Sequence, residues 1–179
     1  MFEVYDNFLD NEDYLEIEKI LNNSELPWYF NPFITDEFEE KTFGQFTHTL
    51  YRNNVGVVSD WHNKFTAPVM NRVSNLCSQG SNIFLLSAKL NLNVRKDSHL
   101  PQGRYHTDWR IPGPTHKTAI YYCNDNNGFT KFEDGTKIEC EPNRLLVFDG
   151  SNKHLGYTCT DEQTRVILNI NYLVSQKHD

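Results

Sequence analysis

From Asn82 onward the chain is a succession of short runs rich in β-branched and aromatic residues, each ended by Gly, Asn, Asp or Pro. Such runs read as strands, because branched and aromatic side chains pack well on a pleated surface and the punctuating residues supply the turns. The expected strands are Asn82 to Val94, Lys117 to Cys123, Phe129 to Phe132, Thr136 to Cys140, Leu145 to Phe148, Leu155 to Cys159 and Arg165 to Tyr172. Many short strands at close spacing pack as a sandwich or a barrel. The first half is more mixed. Asp10 or Asn11 can cap a helix running to about Asn22, with Tyr14, Ile17, Ile20 and Leu21 recurring on one apolar face. A second helix is expected from a cap at Thr66, with Pro68 in its first turn, to Gly80, packing through Val69, Val73, Leu76 and Cys77. Leu26 to Ile34 and Phe43 to Tyr51 read as strands. The whole of 1–179 is therefore expected to form one mainly β (α+β) domain, with packing helices from its N-terminal half.

Within this frame the stretch Arg104 to Arg110 carries chemistry. Read as a strand, it projects His106 and Asp108 to one face, two residues apart, with Thr107 facing away. An imidazole nitrogen and a carboxylate oxygen are two of the three ligands in the facial triad that holds non-haem Fe(II) and leaves positions open. Alone the pair is weak, since seven His and many acids make one such spacing unremarkable. A third ligand must come from a distant His. His154 follows a strand-like run and the turn Gly150-Ser151-Asn152-Lys153, and Arg165 then opens the next strand. His48, His62, His99, His116 and His178 have no acid at ligand spacing in a strand and read as packing or surface residues.

His-x-Asp, a long gap, a lone His and an Arg on the following strand resemble the Fe(II)/2-oxoglutarate-dependent dioxygenase superfamily, prolyl 4-hydroxylase-like members above all. Tyr121-Tyr122-Cys123-Asn124, Asn127-Gly128-Phe129-Thr130, Phe132-Glu133-Asp134-Gly135 and Asn143-Arg144-Leu145-Leu146-Val147-Phe148 add to the likeness. It covers roughly Lys89 to Tyr172 closely, and the N-terminal half only in its pattern of elements. The resemblance implies a double-stranded β-helix, a jelly-roll with helices against one sheet; the strand pattern agrees with this as it would with other jelly-rolls. It further implies Fe(II) on His106, Asp108 and His154, and 2-oxoglutarate held at its far carboxylate by Arg165. A guanidinium can grip such a group with two parallel hydrogen bonds. Tyr122, Thr130 and Asn93 are candidate cosubstrate contacts, and Trp109, Arg110, Asn169 and Asn171 candidate substrate contacts. O₂ is the co-reactant, and ascorbate a candidate accessory reductant.

The implied reaction turns 2-oxoglutarate into succinate and CO₂ while a C–H bond is hydroxylated. Halogenases of the superfamily have Gly or Ala where Asp108 stands, so Asp108 argues for hydroxylation. Resemblance favours a peptidyl residue such as proline as substrate. A free amino acid or other small metabolite, or a non-catalytic metal-binding module on the same fold, are the alternatives.

The totals bear on partners. A formal net charge of −7 disfavours nonspecific binding to nucleic acid or to an anionic membrane, and no apolar run approaches the roughly 20 residues that span a bilayer. Cys77, Cys123, Cys140 and Cys159 form no CxxC pair and no basic-then-apolar leader is present, so a reducing cytoplasm is expected. Two features carry open alternatives. The polar loop Arg95 to Gly103, directly before the metal motif, is either a lid over substrate or a surface connection. Lys89-Leu90-Asn91-Leu92-Asn93 alternates polar with apolar, and its polar row faces either solvent or a pocket.

Overall fold

The computed structural model describes residues 2–23, 25–32, 44–77, 81–108 and 115–175. Its elements run in the order β1 (Phe2–Tyr5), α1 (Asn11–Leu21), β2 (Tyr29–Asn31), β3 (Gln45–Arg52), β4 (Gly56–Val57), α2 (His62–Leu76), β5 (Asn82–Val94), β6 (His116–Tyr122), β7 (Phe129–Phe132), β8 (Lys137–Glu139), β9 (Arg144–Asp149), β10 (His154–Tyr157) and β11 (Thr164–Ser175). An eight-stranded antiparallel sheet has the order β1-β9-β6-β11-β5-β3-β2, with β4 on β3, and a three-stranded sheet has the order β10-β7-β8. The expected jelly-roll with N-terminal packing helices is the fold found.

Strand periodicity explains the layering. Val166, Leu168, Ile170 and Tyr172 of β11 point to one face, where they join Ala88, Leu90, Ala119, Tyr121, Leu145 and Val147 in a core shared with Ile17, Ile20, Phe65, Val69 and Val73 of the two helices. Ile167 points to the other face and packs with Ile120, Tyr122, Leu146 and Phe148 against Phe132 of the small sheet and Cys140, just beyond β8. Arg165, Asn169 and Asn171 share that second face with Ile167. β11 is thus apolar towards the helices and largely polar towards the interior.

α1 begins where expected. Asp10 is its cap and accepts a hydrogen bond from the Asp13 amide at 3.1 Å. α2 differs: it starts at His62, Trp61 offers no side-chain cap, and Pro68 lies inside the helix. Proline is cheapest in a first turn, so its position suggested a later start. Burial of Phe65 and Thr66 together with Val69 and Val73 holds the extra N-terminal turn in place. Leu76 is exposed and Cys77 only partly buried, so the expected core stripe stops at Val73. Residues 78–80, in the expected last turn, lie outside the described residues, as do Phe33, Ile34 and Phe43 of the two early strands.

Of Arg104 to Arg110, the described part Arg104 to Asp108 is not a continuous strand. Among these described residues only His106 pairs, in an isolated antiparallel bridge to His154, and Pro101 makes a second such bridge to Tyr157. The 95–103 loop is fastened beside β10: the Lys96 amide donates to Cys159 O (3.1 Å), Leu100 and Thr158 exchange bonds, and the Gln102 amide donates to Gly156 O (2.9 Å). Segment 101–106 therefore extends the small sheet as a broken fourth strand. Among the described residues no helix is long and apolar enough to cross a membrane.

Asn143 ties the N-terminus to the sheets. It has a φ of 57°, its Oδ1 accepts from the Leu9 amide (2.8 Å) and the Tyr121 hydroxyl (3.0 Å), and its Nδ2 donates to Leu9 O (3.0 Å). Asparagine tolerates this left-handed conformation better than most residues. Asn143→Ala should lower stability by about 2–4 kcal/mol through unpaired buried groups and backbone strain. Asn143→Gly, relieved of the strain, should lose less; equal losses in urea denaturation would show that the conformation contributes nothing.

Candidate active site

His106 and His154, far apart in the chain, are brought together by their backbones. The His106 amide donates to His154 O at 3.2 Å and the His154 amide to His106 O at 3.0 Å. Two residues that exchange both bonds across an antiparallel pair put their side chains on the same face; here the ring centroids are 4.9 Å apart. Each ring is oriented from behind. His106 Nδ1 lies 2.9 Å from Arg104 O and His154 Nδ1 3.3 Å from Asn152 O, so in both cases the Nδ1 proton is given to the carbonyl two residues upstream. This fixes the tautomer in which Nε2 has a free lone pair. Phe148, edge-on at 4.8 Å, braces the His154 ring further.

Asp108 closes the cluster. Its Oδ1 is 3.7 Å from His106 Nε2 and its Oδ2 3.8 Å from His154 Nε2. The three ligand atoms lie within 4.8 Å of one another, a set one metal ion can share. Burial alone would raise the Asp108 carboxyl, but the facing His154, the Asn169 hydrogen bond, His106 and Lys89 outweigh it and hold it below the usual carboxylate range. Burial pushes the His154 imidazole below its usual range despite the opposing pull of Asp108. One ionised carboxylate and a neutral His154 imidazole are the states a metal requires.

Asn169 and Asn171 sit behind Asp108. Asn169 Nδ2 donates to Asp108 Oδ2 at 2.9 Å, and Asn171 Nδ2 donates to Asn169 Oδ1 at 2.8 Å. Asn171 Oδ1 in turn lies 3.0 Å from both His116 Nε2 and the Thr118 hydroxyl. His116 rests on Gly150, where an added Cβ would come within 2.0 Å of its ring. A buried polar chain thus runs from the turn before His154 to the Asp108 carboxylate. These two asparagines were candidate substrate contacts from sequence; in the fold they hold the carboxylate. Trp109 and Arg110 lie outside the described residues.

At the other end of the interior lies Arg165, 1 % exposed. It makes no ion pair among the described residues; in particular it does not pair with Asp161 or Glu162, whose turn precedes its strand. Its Nη2 donates to Thr130 Oγ1 at 3.2 Å, and the Tyr122 hydroxyl donates to the same oxygen at 2.8 Å. With both lone pairs of Thr130 occupied, its own proton is free to point at a ligand. Burial pushes the Tyr122 phenol well up, so it stays a donor. Arg165 Nε and both side-chain amide atoms of Asn93, its partner across the β5–β11 pair, are buried with no hydrogen bond among the described residues.

A buried cation and unpaired polar atoms are costly unless an anion completes them. Gly156, two residues beyond His154 on β10, leaves the space for one. A Cβ there would stand 3.5 Å from Arg165 Nη1 and 3.4 Å from Gln102 Oε1, so any longer side chain would fill the gap in front of the guanidinium. Gly128 serves from the other side, since a Cβ would lie 2.6 Å from Arg165 Cδ. The residues therefore fit both a metal ion and an anionic ligand reaching from it to Arg165. Gly156, Gln102 and the support of Asn171 by His116 and Thr118 went unnoticed in the sequence because none belongs to a local motif, and Gly128 stood out only as part of the Asn127–Thr130 likeness.

No protein-family model matches this sequence, and no curated protein matches it. Solved structures with the same fold do. A prolyl hydroxylase from Trichoplax adhaerens, in complex with a hypoxia inducible factor oxygen degradation domain peptide fragment, aligns with a TM-score of 0.63 at 14% identity over 96% of this chain and 83% of that one. An oxidoreductase of the 2OG-Fe(II) oxygenase family from Burkholderia pseudomallei gives 0.66 at 10% identity over 96% and 85%. HygX from Streptomyces hygroscopicus, with nickel and 2-oxoglutarate bound, gives 0.60 at 10% identity over 96% and 82%. The chain thus has the jelly-roll fold of the 2-oxoglutarate–Fe(II) oxygenases, and a His-Asp-His cluster stands within it.

Removing a ligand should abolish binding of Mn(II), used as an air-stable probe, in His154→Ala and Asp108→Ala. Asn169→Ala, which only frees the carboxylate to turn, should weaken it roughly 10- to 100-fold. Calorimetric Mn(II) titration checks this, and unaltered affinity in Asn169→Ala would mean that the asparagine does not orient Asp108.

Proposed function

We propose that this chain is an Fe(II)- and 2-oxoglutarate-dependent dioxygenase that hydroxylates a peptidyl residue, proline being the first candidate. The observation that carries the reading is Arg165, a buried guanidinium with no anionic partner among the described residues, on the same interior face as the His-Asp-His cluster. A dicarboxylate with one end at the metal and the other at Arg165 satisfies both. The peptidyl substrate is supported by the fold shared with the peptide-bound prolyl hydroxylase.

When bound, iron and 2-oxoglutarate supply the oxidising chemistry, with O₂ as co-reactant, and succinate and CO₂ leave. The chain's own residues do the positioning. His106 and His154 present their Nε2 atoms to the metal, each ring held through its Nδ1, and Asn169 keeps Asp108 turned towards them. Arg165 and the Thr130 hydroxyl grip the distal carboxylate of 2-oxoglutarate, while Tyr122 acts through Thr130 by fixing its oxygen. Phe132 and Phe148 close the inner side of His154 against water. The four cysteines stand as free thiols, which supports a reducing, cytoplasmic setting as part of the proposal.

Titration of 2-oxoglutarate into Mn(II)-loaded protein tests this reading. Losing one partner of a buried charge pair costs about 2–5 kcal/mol, so Arg165→Ala should weaken 2-oxoglutarate by roughly 30-fold to several thousand-fold while Mn(II) affinity is kept. Gly156→Val should block 2-oxoglutarate and spare the metal. Unchanged 2-oxoglutarate affinity in both variants would sink the assignment.

A further inference from the structure

Arg165 is fixed at its head, its stem and its backbone. The head meets Thr130. The stem lies against Gly128, where a Cβ would stand 2.6 Å from Arg165 Cδ. One edge of the backbone pairs with Asn93 of β5. On the other edge β6 ends at Tyr122, opposite Ile167, and the Cys123 amide adds one more bond, to Val166 O at 3.1 Å. Asn124 then carries the pairing on with its side chain: Oδ1 accepts from the Val166 amide and Nδ2 donates to Thr164 O, both at 2.8 Å. These bonds flank Arg165, so one carboxamide, acceptor at one end and donor at the other, replaces the strand that β6 no longer supplies.

Asn126, which is buried, backs Asn124. Its Nδ2 donates to Asn124 O at 3.1 Å and to Cys140 Sγ at 3.2 Å, and its Oδ1 accepts from the Gly128 amide at 3.0 Å. Gly128 O in turn accepts from the Cys140 amide at 2.9 Å. The two asparagines thus join the backbone around Arg165 to the glycine under its stem. Asn127, between them and Gly128, faces outward. Its amide donates to the Asp161 carboxylate at 3.1 and 3.0 Å, its Nδ2 donates to Thr160 Oγ1 at 2.7 Å, and its Oδ1 accepts from the Thr160 amide at 2.8 Å. One loop therefore carries an inner support aimed at Arg165 and an outer clasp on the turn before β11.

Where the guanidinium stands decides which diacid fits. A 2-oxo diacid bound through its oxo end at the metal must present its far carboxylate at Arg165, and one methylene more or less would spoil the two parallel hydrogen bonds of a planar guanidinium. Such a grip discriminates only while the residues behind it hold it within about 0.5 Å of the productive geometry. We propose that Asn124, backed by Asn126, is a positioning residue that sets the length of the 2-oxo diacid this chain accepts. The proposal rests on the 2-oxoglutarate-dependent reading and deepens it. Both asparagines act through Arg165 rather than on the diacid itself.

The test is calorimetric titration of the full chain, anaerobic and loaded with Mn(II), with 2-oxoglutarate and with 2-oxoadipate, its homologue one methylene longer. The unsubstituted protein should prefer 2-oxoglutarate by about 100-fold, two decades of affinity. Asn124→Ala should lose about tenfold of that preference, a change of about 1.4 kcal/mol, through weaker binding of 2-oxoglutarate. Asn126→Ala should lose part of it; this variant keeps the two bonds of Asn124 to β11 and carries the test on its own if Asn124→Ala does not fold. Mn(II) affinity should hold in both, and because each preference is a ratio within one protein, a change in metal loading does not disturb it. Asn127→Ala, which opens the outer clasp, controls for general loosening of the loop: it should lower Tm and leave the preference alone. No preference in the unsubstituted protein, a preference untouched by the substitutions at Asn124 and Asn126, or one that falls as far in Asn127→Ala would overturn the proposal, while 2-oxoglutarate binding that depends on Arg165 leaves the dioxygenase reading standing. An unsubstituted protein that binds neither diacid would overturn both.

Discussion

The two hydrogen bonds exchanged between the backbones of His106 and His154 are the contact on which the candidate site depends. They register the irregular 101–106 segment against β10 and put two imidazoles side by side on the interior face. The carbonyls behind each ring then select its tautomer. A slip of the 101–106 segment by one residue would send the His106 ring to the opposite face while His154 stayed in place on β10. Neighbouring bonds guard against that slip: Gln102 to Gly156, Leu100 to Thr158 and Lys96 to Cys159 pin the loop that leads into the motif. That loop is thus part of the scaffold that sets the register.

The large sheet does two jobs on its two faces. Towards the helices it presents an apolar row whose burial stabilises the fold, each fully buried aliphatic side chain contributing about 1.5–3 kcal/mol. Towards the small sheet it presents Arg165, Asn169, Asn171, Asn93 and Lys89, all costly to enclose without partners. The helix-facing core is what lets the interior face stay polar. Asn171, His116 and Thr118 satisfy one another and orient Asp108 at a distance, whereas Arg165 Nε and the Asn93 side-chain amide have no hydrogen-bond partner among the described residues, which is where a ligand gains most.

Much of this was legible in the sequence where the signal was local. The alternation of β11 and β5, the Asp10 cap and the His-x-Asp spacing each depend on neighbours a few residues apart, and the strands fell close to their expected bounds. The strand expected through Arg104 to Arg110 was a different matter: in its described part only a single bridge forms, and His106 and Asp108 still meet in one cluster because Asn169 sets the Asp108 carboxylate from another strand. Pro68 misplaced the start of α2 because tertiary burial of Phe65 outweighs the preference of proline for a first turn. The polar row of β5, which sequence alone left between solvent and pocket, turns inward, with Asn93 2 % exposed. Gly156 and Gln102 were beyond reach, since their meaning lies in what stands across a gap from them.

The central claim is that one metal ion and one dicarboxylate complete the interior between His106 and Arg165. A crystal grown anaerobically with Mn(II) and 2-oxoglutarate, read by the anomalous signal of the metal, addresses it directly. The account predicts a single ion bound by Nε2 of His106, Nε2 of His154 and an oxygen of Asp108, with the far carboxylate of 2-oxoglutarate on the Arg165 guanidinium beside Gly156. An ion held elsewhere, or a guanidinium that stays without its carboxylate at saturating 2-oxoglutarate, would contradict it.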